Sequence, residues 1–324
     1  MNINITTYCN LKCPYCFAVD LWESAGNKRD DKEISTKNLK IVIDFLKRSG
    51  VCEFRMFGGE PTLHTRFEEV YDIVSKNGFS VVVFSNGIIT KEKVEFLSKQ
   101  KNLNDIVINI QYPNSYSSKQ YEMFNCTLSN LNKYINLGFV IYELDFDAYF
   151  IIDLVKKYNL RRAVKWSIAA PCFKHKNVYV KPEDHRKVIG RFVEYSRRFK
   201  RHHIRWYPDT TFMWCLFRKE QLDELYHNVK FKPVNLCMPV LEVAPNLTVY
   251  RCYGTAALSN PKLKITDFKN EREAFMYFFK KEMFLKNVGV FKECIRCDLR
   301  GSACGAGCLV HILKSFPNRD LDLY

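Results

Sequence analysis

Cys9, Cys13 and Cys16 place three thiols within eight residues, spaced C-x3-C-x2-C. Three thiolates on one short loop can bind three irons of a 4Fe–4S cube and leave the fourth iron open to a non-protein ligand. Zinc is the competing reading, but a structural zinc site asks for a fourth ligand close by. A second set of thiols stands near the other end of the chain. Cys237 and Cys252 flank LEVAPNLTVYR, and Cys294, Cys297, Cys304 and Cys308 follow as C-x2-C-x6-C-x3-C. A zinc ribbon and an iron–sulfur site both suit that pattern. With no secretory start and no run of eighteen apolar residues, a cytoplasmic protein without a membrane span is expected. Thirteen cysteines in that compartment argue for metal or redox chemistry rather than disulfides.

The loops that carry these thiols need a frame. Apolar, β-branched stretches at 51–57, 79–84, 105–111, 139–146 and 163–171 read as strands, with ITTY at the start as a sixth. Helices fall between them. Ser35 caps one that Gly50 stops; Thr65 with Glu68 predicts a capping box on the next, which Gly78 stops; residues 125–137 and 148–158 supply two more. This β-α alternation predicts an α/β fold with a parallel sheet, and catalytic loops at the carboxyl ends of its strands. Cys9, Cys13 and Cys16 then lie on the first such loop.

The net charge of +15 is concentrated. From Lys156 to Arg205 sixteen Lys or Arg face three acids, a local charge of 16 − 3 = +13. Such a belt is either a solvated face or a surface for an acidic peptide or phosphate. No nucleic-acid motif accompanies it. A helix at 182–201, with Val188, Phe192, Tyr195 and Phe199 at helical spacing, reads as core more than as a peptide groove.

The opening motif, with Tyr15 before its third cysteine, resembles the radical S-adenosylmethionine (radical SAM) superfamily. Gly58-Gly59-Glu60-Pro61 after the second strand resembles that family's GGE motif, and Ser85-Asn86-Gly87 stands after the third strand where relatives carry a polar turn. The resemblance implies a partial (β/α)6 TIM-like barrel, a cluster on Cys9, Cys13 and Cys16, and S-adenosylmethionine chelated to the open iron. Tyr15, Gly58, Gly59, Glu60, Ser85 and Asn86 then form its surroundings. Asn109 and Gln111 are expected at its ribose, where Ser and Asp are commoner, and Lys165 at its carboxylate. Reductive cleavage would give a 5′-deoxyadenosyl radical that abstracts a substrate hydrogen, with an electron donor such as flavodoxin or ferredoxin.

The later cysteines resemble the SPASM/twitch extension, which holds one or two auxiliary 4Fe–4S clusters. The match departs from the family at Leu247, where a Gly is expected, in the gap of six before Cys304, and in the lack of a cysteine after Cys308. Two readings follow. In the shared arrangement Cys237, Cys252 and Cys308 serve one cluster, and Cys294, Cys297 and Cys304 serve a second that lacks a ligand, which His311 could supply. In the simpler one, Cys237, Cys252, Cys294 and Cys297 hold a single cluster. The expected division is a barrel with a basic helix over 1–200, a bridging region over 201–236, and an auxiliary domain over 237–324.

Cys52, Cys126, Cys172 and Cys215 remain. A free cysteine is most often a small buried hydrophobe, but Cys126, Cys172 and Cys215 are candidates for donating hydrogen to a substrate radical. Relatives with this extension mostly modify ribosomal peptides by crosslinks, thioethers, oxidation or epimerisation. The few residues before Cys9 leave no room for their winged-helix domain, so either a separate protein that binds the leader or a small substrate is expected. A dehydrogenase or epimerase of aminosugars, or a non-catalytic iron–sulfur or zinc protein, are the alternatives.

Overall fold

In the computed structural model nine strands form one sheet: β1 (Asn2–Thr6), β2 (Glu53–Gly58), β3 (Ser80–Ser85), β4 (Leu103–Ile110), β5 (Ile135–Ile141), β6 (Ala163–Ile168), β7 (Arg205–Pro208), β8 (Glu242–Val243) and β9 (Val249–Tyr250). Their order is β7-β6-β5-β4-β3-β2-β1-β8-β9. The structure describes all residues except 25–28, 210–212, 230–235, 259–262, 283–287, 303 and 316–324. Pairing is parallel from β1 to β7. This is the expected α/β partial barrel with one further parallel strand. That strand, β7, lies in the segment expected as a bridge; residues 210–212 and 230–235 of that bridge lie outside the described residues.

Ile106, Ile108 and Ile110 of β4 are buried, while Asp105, Val107 and Asn109 on the alternate face are half-buried. Side chains alternate along a strand, so the apolar face packs under the helices and a polar face lines the open concave side. Ser35 caps Thr36–Arg48 by accepting from the Asn38 N–H, and Leu39, Val42, Ile43 and Leu46 form its buried stripe. Gly50 (φ 70°) and Gly78 (φ 87°) end their helices in the left-handed region.

Three expectations are corrected. The helix over 125–137 runs Ser118–Asn130, because Ser117 and Gln120 form a reciprocal capping box. β5 accordingly starts at Ile135 and ends at Ile141, not over 139–146. The Thr65–Glu68 box does not form: Thr65 bonds through its N–H and hydroxyl to the Glu33 carboxylate, and the helix begins at Phe67 after an Arg66 N-cap without a side-chain bond.

The C-terminal segment is built onto the barrel. β8 adds to β1 in parallel, and β9 returns antiparallel. The turn between them puts Leu247 at φ 70°. That conformation suits glycine, which accounts for the residue expected there; here Asn246 Oδ1 accepts from the Thr248 N–H, and the Leu247 side chain is buried in the core.

Beneath the sheet edge, Asn2 Nδ2 donates to Glu242 Oε1 at 3.0 Å. Burial pushes the Glu242 carboxyl from 4.5 up to about 8. The folded chain therefore holds a proton that the unfolded chain releases above 4.5, so this contribution to stability is lost as pH rises through about 8. Glu242→Gln should remove a dependence on the order of 2–4 kcal/mol. Melting temperatures taken between roughly pH 6 and 9 should slope downward for the parent and much less for the variant.

Candidate active site

The cysteine loop leaves the carboxyl end of β1 and is hydrogen-bonded to the loop after β2. The Gly59 N–H donates to Thr6 O at 2.9 Å, and the Glu60 N–H to Tyr8 O at 2.7 Å. The approach is so close that a Cβ on Gly59 would stand 2.3 Å from Tyr8 O and 2.6 Å from Tyr8 C. Gly59→Ala must therefore push apart a pair of backbones that cannot yield. A loss of about 1–3 kcal/mol of stability is expected, read from thermal or denaturant melts of the parent and the variant.

Glu60 is fully buried, and its carboxylate ties the second loop to the third. Oε1 accepts from the Thr62 N–H and hydroxyl, and Oε2 from the Ser85 hydroxyl (2.9 Å) and the Asn86 N–H (2.8 Å). Burial nevertheless pushes its pKa up, with these bonds opposing. Asn86 in turn donates to Asn10 Oδ1 at 2.7 Å and reaches Cys9 Sγ at 3.8 Å. Gln111, one residue past β4, donates to Cys13 Sγ at 3.4 Å and to the Tyr15 hydroxyl. Tyr15 stacks on Tyr142 with centroids 4.9 Å apart.

A further latch comes from the loop after β6. Asp20 accepts from the N–H groups of Phe173, Lys174 and His175 and from the His175 ring. Burial opposes its ionisation, yet these bonds hold its pKa below the usual range. Asn177 donates to Tyr15 O and Ala170 O. Asn10, Asp20, Tyr142 and Asn177 were not singled out from sequence. Only proximity across the sheet marks them, apart from Asp20, whose place four residues after Cys16 was a signal.

Sites expected from sequence separate accordingly. Cys9, Cys13, Cys16, Tyr15, Gly58, Gly59, Glu60, Ser85, Asn86 and Gln111 meet at the carboxyl ends of β1 to β4. Asn109 lies on the concave face opposite Gly138. Lys165 pairs with Asp209 at 3.5 Å. Cys126 is inside the helix Ser118–Asn130, and its thiol accepts from Asn130. Cys172 is buried, with its thiol on the Cys16 carbonyl at 3.5 Å. Cys52 is exposed.

The three thiols of the opening loop interact electrostatically with one another. Burial, and then the neighbouring thiols Cys16 and Cys9, push Cys13 up to about 12. Among the described residues no three His, Cys, Asp or Glu gather tightly enough for a single metal ion; a cube, which gives each thiolate its own iron, needs no such gathering. Sulfur donors on a loop rimmed by the amides of Asn86 and Gln111 fit a 4Fe–4S cluster.

The remaining thiols fall into two groups. Cys237, Cys252 and Cys308 are the first. The hydrogen bond from Cys308, and then the Arg251 guanidinium, hold Cys237 well below the usual thiol range, while Cys308 is pushed up. Arg251 donates to Cys237 O at 2.9 Å and Sγ at 3.3 Å, and pairs with buried Glu282 at 2.7 Å. Cys294, Cys297 and Cys304 are the second, and Cys215 lies within electrostatic range of all three. His311 belongs to neither: it packs edge-on against His185 at 5.2 Å, and burial, then His185, push its pKa down to about 3.

The basic belt is partly neutralised. In the helix His185–Arg201, Arg197 pairs with Glu224 and Arg198 with Glu194, while Val188, Phe192, Tyr195 and Phe199 are core. A cleft lined by Lys156, Arg201 and His202 together with Asp153 and Glu194 lies where this helix meets Tyr149–Lys157.

Residues 3–163 match the family model for the radical SAM superfamily. This stretch belongs to the radical SAM superfamily. A 4Fe–4S cluster and S-adenosylmethionine are the cofactors that this membership implies. Mycofactocin maturase MftC of Mycolicibacterium smegmatis is 37% identical over 89 residues, 27% of this chain and 21% of that protein. Sporulation killing factor maturation protein SkfB of Bacillus subtilis is 32% identical over 102 residues, 31% of this chain and 23% of that protein. The matched stretch thus spans about a fifth of these relatives. The fold of this radical SAM chain is that of Streptococcus suis SuiB, whose crystal structure with S-adenosylmethionine superposes with a TM-score of 0.62 at 16% identity, over 99% of this chain and 74% of SuiB. SuiB bound to precursor peptide SuiA gives 0.60 at 15% identity, over 96% and 72%. Among the described residues no helix is long and apolar enough to cross a membrane.

Proposed function

We propose that this chain is a radical SAM maturase that modifies a ribosomally made peptide. The observation that carries the reading is the joining of the Gly58-Gly59-Glu60 loop to the cysteine loop through the Thr6 and Tyr8 carbonyls. It puts bare backbone beside three thiols at the carboxyl end of a parallel sheet, where ligands of such sheets bind. Cys9, Cys13 and Cys16 would hold the 4Fe–4S cluster, and Tyr15, Glu60, Ser85, Asn86 and Gln111 would shape the S-adenosylmethionine site. Together these cofactors supply a 5′-deoxyadenosyl radical for hydrogen abstraction. Glu60 keeps the loops after β2 and β3 in register, and Gln111 fixes Tyr15 and Cys13 together. Cys172, beside Cys16, stands nearest the opening loop of the candidate hydrogen donors.

A peptide substrate is supported by the maturases MftC and SkfB and by the SuiB–SuiA complex. The two C-terminal thiol groups would each hold an auxiliary cluster, giving about twelve irons per chain with the first. The cleft sets Lys156, Arg197, Arg198 and Arg201 against Asp153 and Glu194, an excess of positive charge that suits an acidic leader, on its own or presented by a partner protein. Flavodoxin or ferredoxin would deliver the electron.

The test is anaerobic reconstitution, reduction with dithionite, and incubation with S-adenosylmethionine and candidate precursor peptides in deuterated water. Formation of 5′-deoxyadenosine with a peptide two mass units lighter supports oxidation or crosslinking. Deuterium at a peptide α-carbon supports epimerisation with a thiol donor. Cleavage stimulated by aminosugars and by no peptide would replace the peptide reading. Zinc without iron, and no 5′-deoxyadenosine, would end the enzyme reading.

A further inference from the structure

Cys294, Cys297 and Cys304 are one donor short of a complete cube. The imidazole that could have completed it, His311, is packed on His185 instead. The structure offers a donor from outside the C-terminal segment. Cys215 lies on the short 3-10 turn Trp214–Leu216, 294 − 215 = 79 residues before the first thiol of that group.

That turn is anchored on several sides. Met213, just before it, is buried, and its sulfur would be 3.4 Å from a Cβ on Gly307, in the loop between Cys304 and Cys308. Leu216, its last residue, and Phe217, just after it, are in the core. Arg186, on the helix His185–Arg201, donates to Cys215 O at 2.9 Å. On the other side, the C-terminal loop is shaped around its own thiols. A Cβ on Gly289 would lie 2.4 Å from Cys294 Sγ, the Ala306 N–H donates to Cys304 Sγ at 3.4 Å, and Val290 N–H bonds Ala306 O. Cys294 and Cys304 are buried, while Cys215 and Cys297 are exposed. The contact of Met213 with the Gly307 position brings the Cys215 turn against the loop that carries Cys304, and Cys215 lies within electrostatic range of the other three thiols.

We propose that Cys215 is the fourth thiolate ligand of an iron–sulfur cluster held by Cys294, Cys297 and Cys304. The proposal rests on the auxiliary-cluster reading above. Each thiol releases its proton to solvent as it binds iron, and the protein undergoes no redox change. Cys215 is thereby assigned to the cluster and not to hydrogen donation.

Iron and sulfide counts, with electron paramagnetic resonance, on the anaerobically reconstituted full chain test this. Cys215→Ala should convert one cube to a 3Fe–4S signal or lose it, lowering iron by about one to four per chain, while Cys52→Ala changes nothing. Cys294→Ala should lose the same cluster, and the double variant no more than either alone. Full iron and an unchanged spectrum in Cys215→Ala, with loss in Cys294→Ala, would overturn the ligand assignment and leave the auxiliary reading standing. About four irons in the parent, or zinc on these thiols, would overturn both. A measurement that does not depend on a variant folding is alkylation of the parent. Cys215 should resist iodoacetamide in the loaded protein and react after anaerobic iron removal, with exposed Cys52 reacting in both. Labelling of Cys215 in fully loaded protein would overturn the proposal.

Discussion

Replacing Cys9, Cys13 and Cys16 together by Ala should abolish 5′-deoxyadenosine formation and remove about four irons, leaving about eight. A fall in rate of at least about a thousandfold, equivalent to about 4 kcal/mol of barrier, is expected by mass spectrometry of the nucleoside. The loss should be confined to that cluster. The opening loop is held by main-chain bonds from Thr6 and Tyr8 to Gly59 and Glu60, none of which involves a thiol. The C-terminal thiols are gathered separately, around Arg251 and around Gly289 and Gly307. The triple variant should therefore melt within about 1 kcal/mol of the iron-free parent. Iron falling well below about eight would show that loading is not independent.

Arg251→Ala should be among the most destabilising single changes. The Arg251–Glu282 pair has side-chain exposures of 3% and 1%. Breaking a buried pair from one side costs about 3–5 kcal/mol, because a charge stays behind in a poorly solvating interior. In a chain of this size that lowers the melting temperature by roughly 4–7 °C. Arg251 also faces the Cys237 sulfur and carbonyl, so iron should fall by about four per chain as well. Arg251→Met with Glu282→Gln should recover much of the stability but not the contact with sulfur. A double variant as unstable as Arg251→Ala would show that the ion pair is not the cause.

The barrel was legible because its signals are local. Caps at Ser35, Gly50 and Gly78 and buried apolar strands mark the alternation, and one C-x3-C-x2-C places the first loop. The errors were also local. The box from Ser117 to Gln120 is a readable S-x-x-Q, and passing over it displaced one helix and the strand after it. β7 begins at Arg205, the last residue of the basic run, and at four residues is too short to show a clear period. β8 and β9 are two residues each, too short for any period. The partners of Glu60, Asp20 and Cys215 were not legible, because they are fixed by loops that meet only after the sheet has formed. Leu247 was readable as a departure but not as a cause: the left-handed turn that calls for glycine shows only in the backbone.

The pairing of β1 with β8 has a consequence for synthesis. Strand β1 exposes one edge until Glu242 and Val243 have been made and can dock beside Asn2 and Ile3. At a translation rate of about 5–20 residues per second, those 242 − 2 = 240 residues take roughly 12–48 s to appear. Throughout that interval one edge of β1 stays unpaired beside the loop of Cys9, Cys13 and Cys16, and unpaired edges are templates for misassembly. The loop of Cys9, Cys13 and Cys16 is thus made long before the strand that closes the sheet edge beside it.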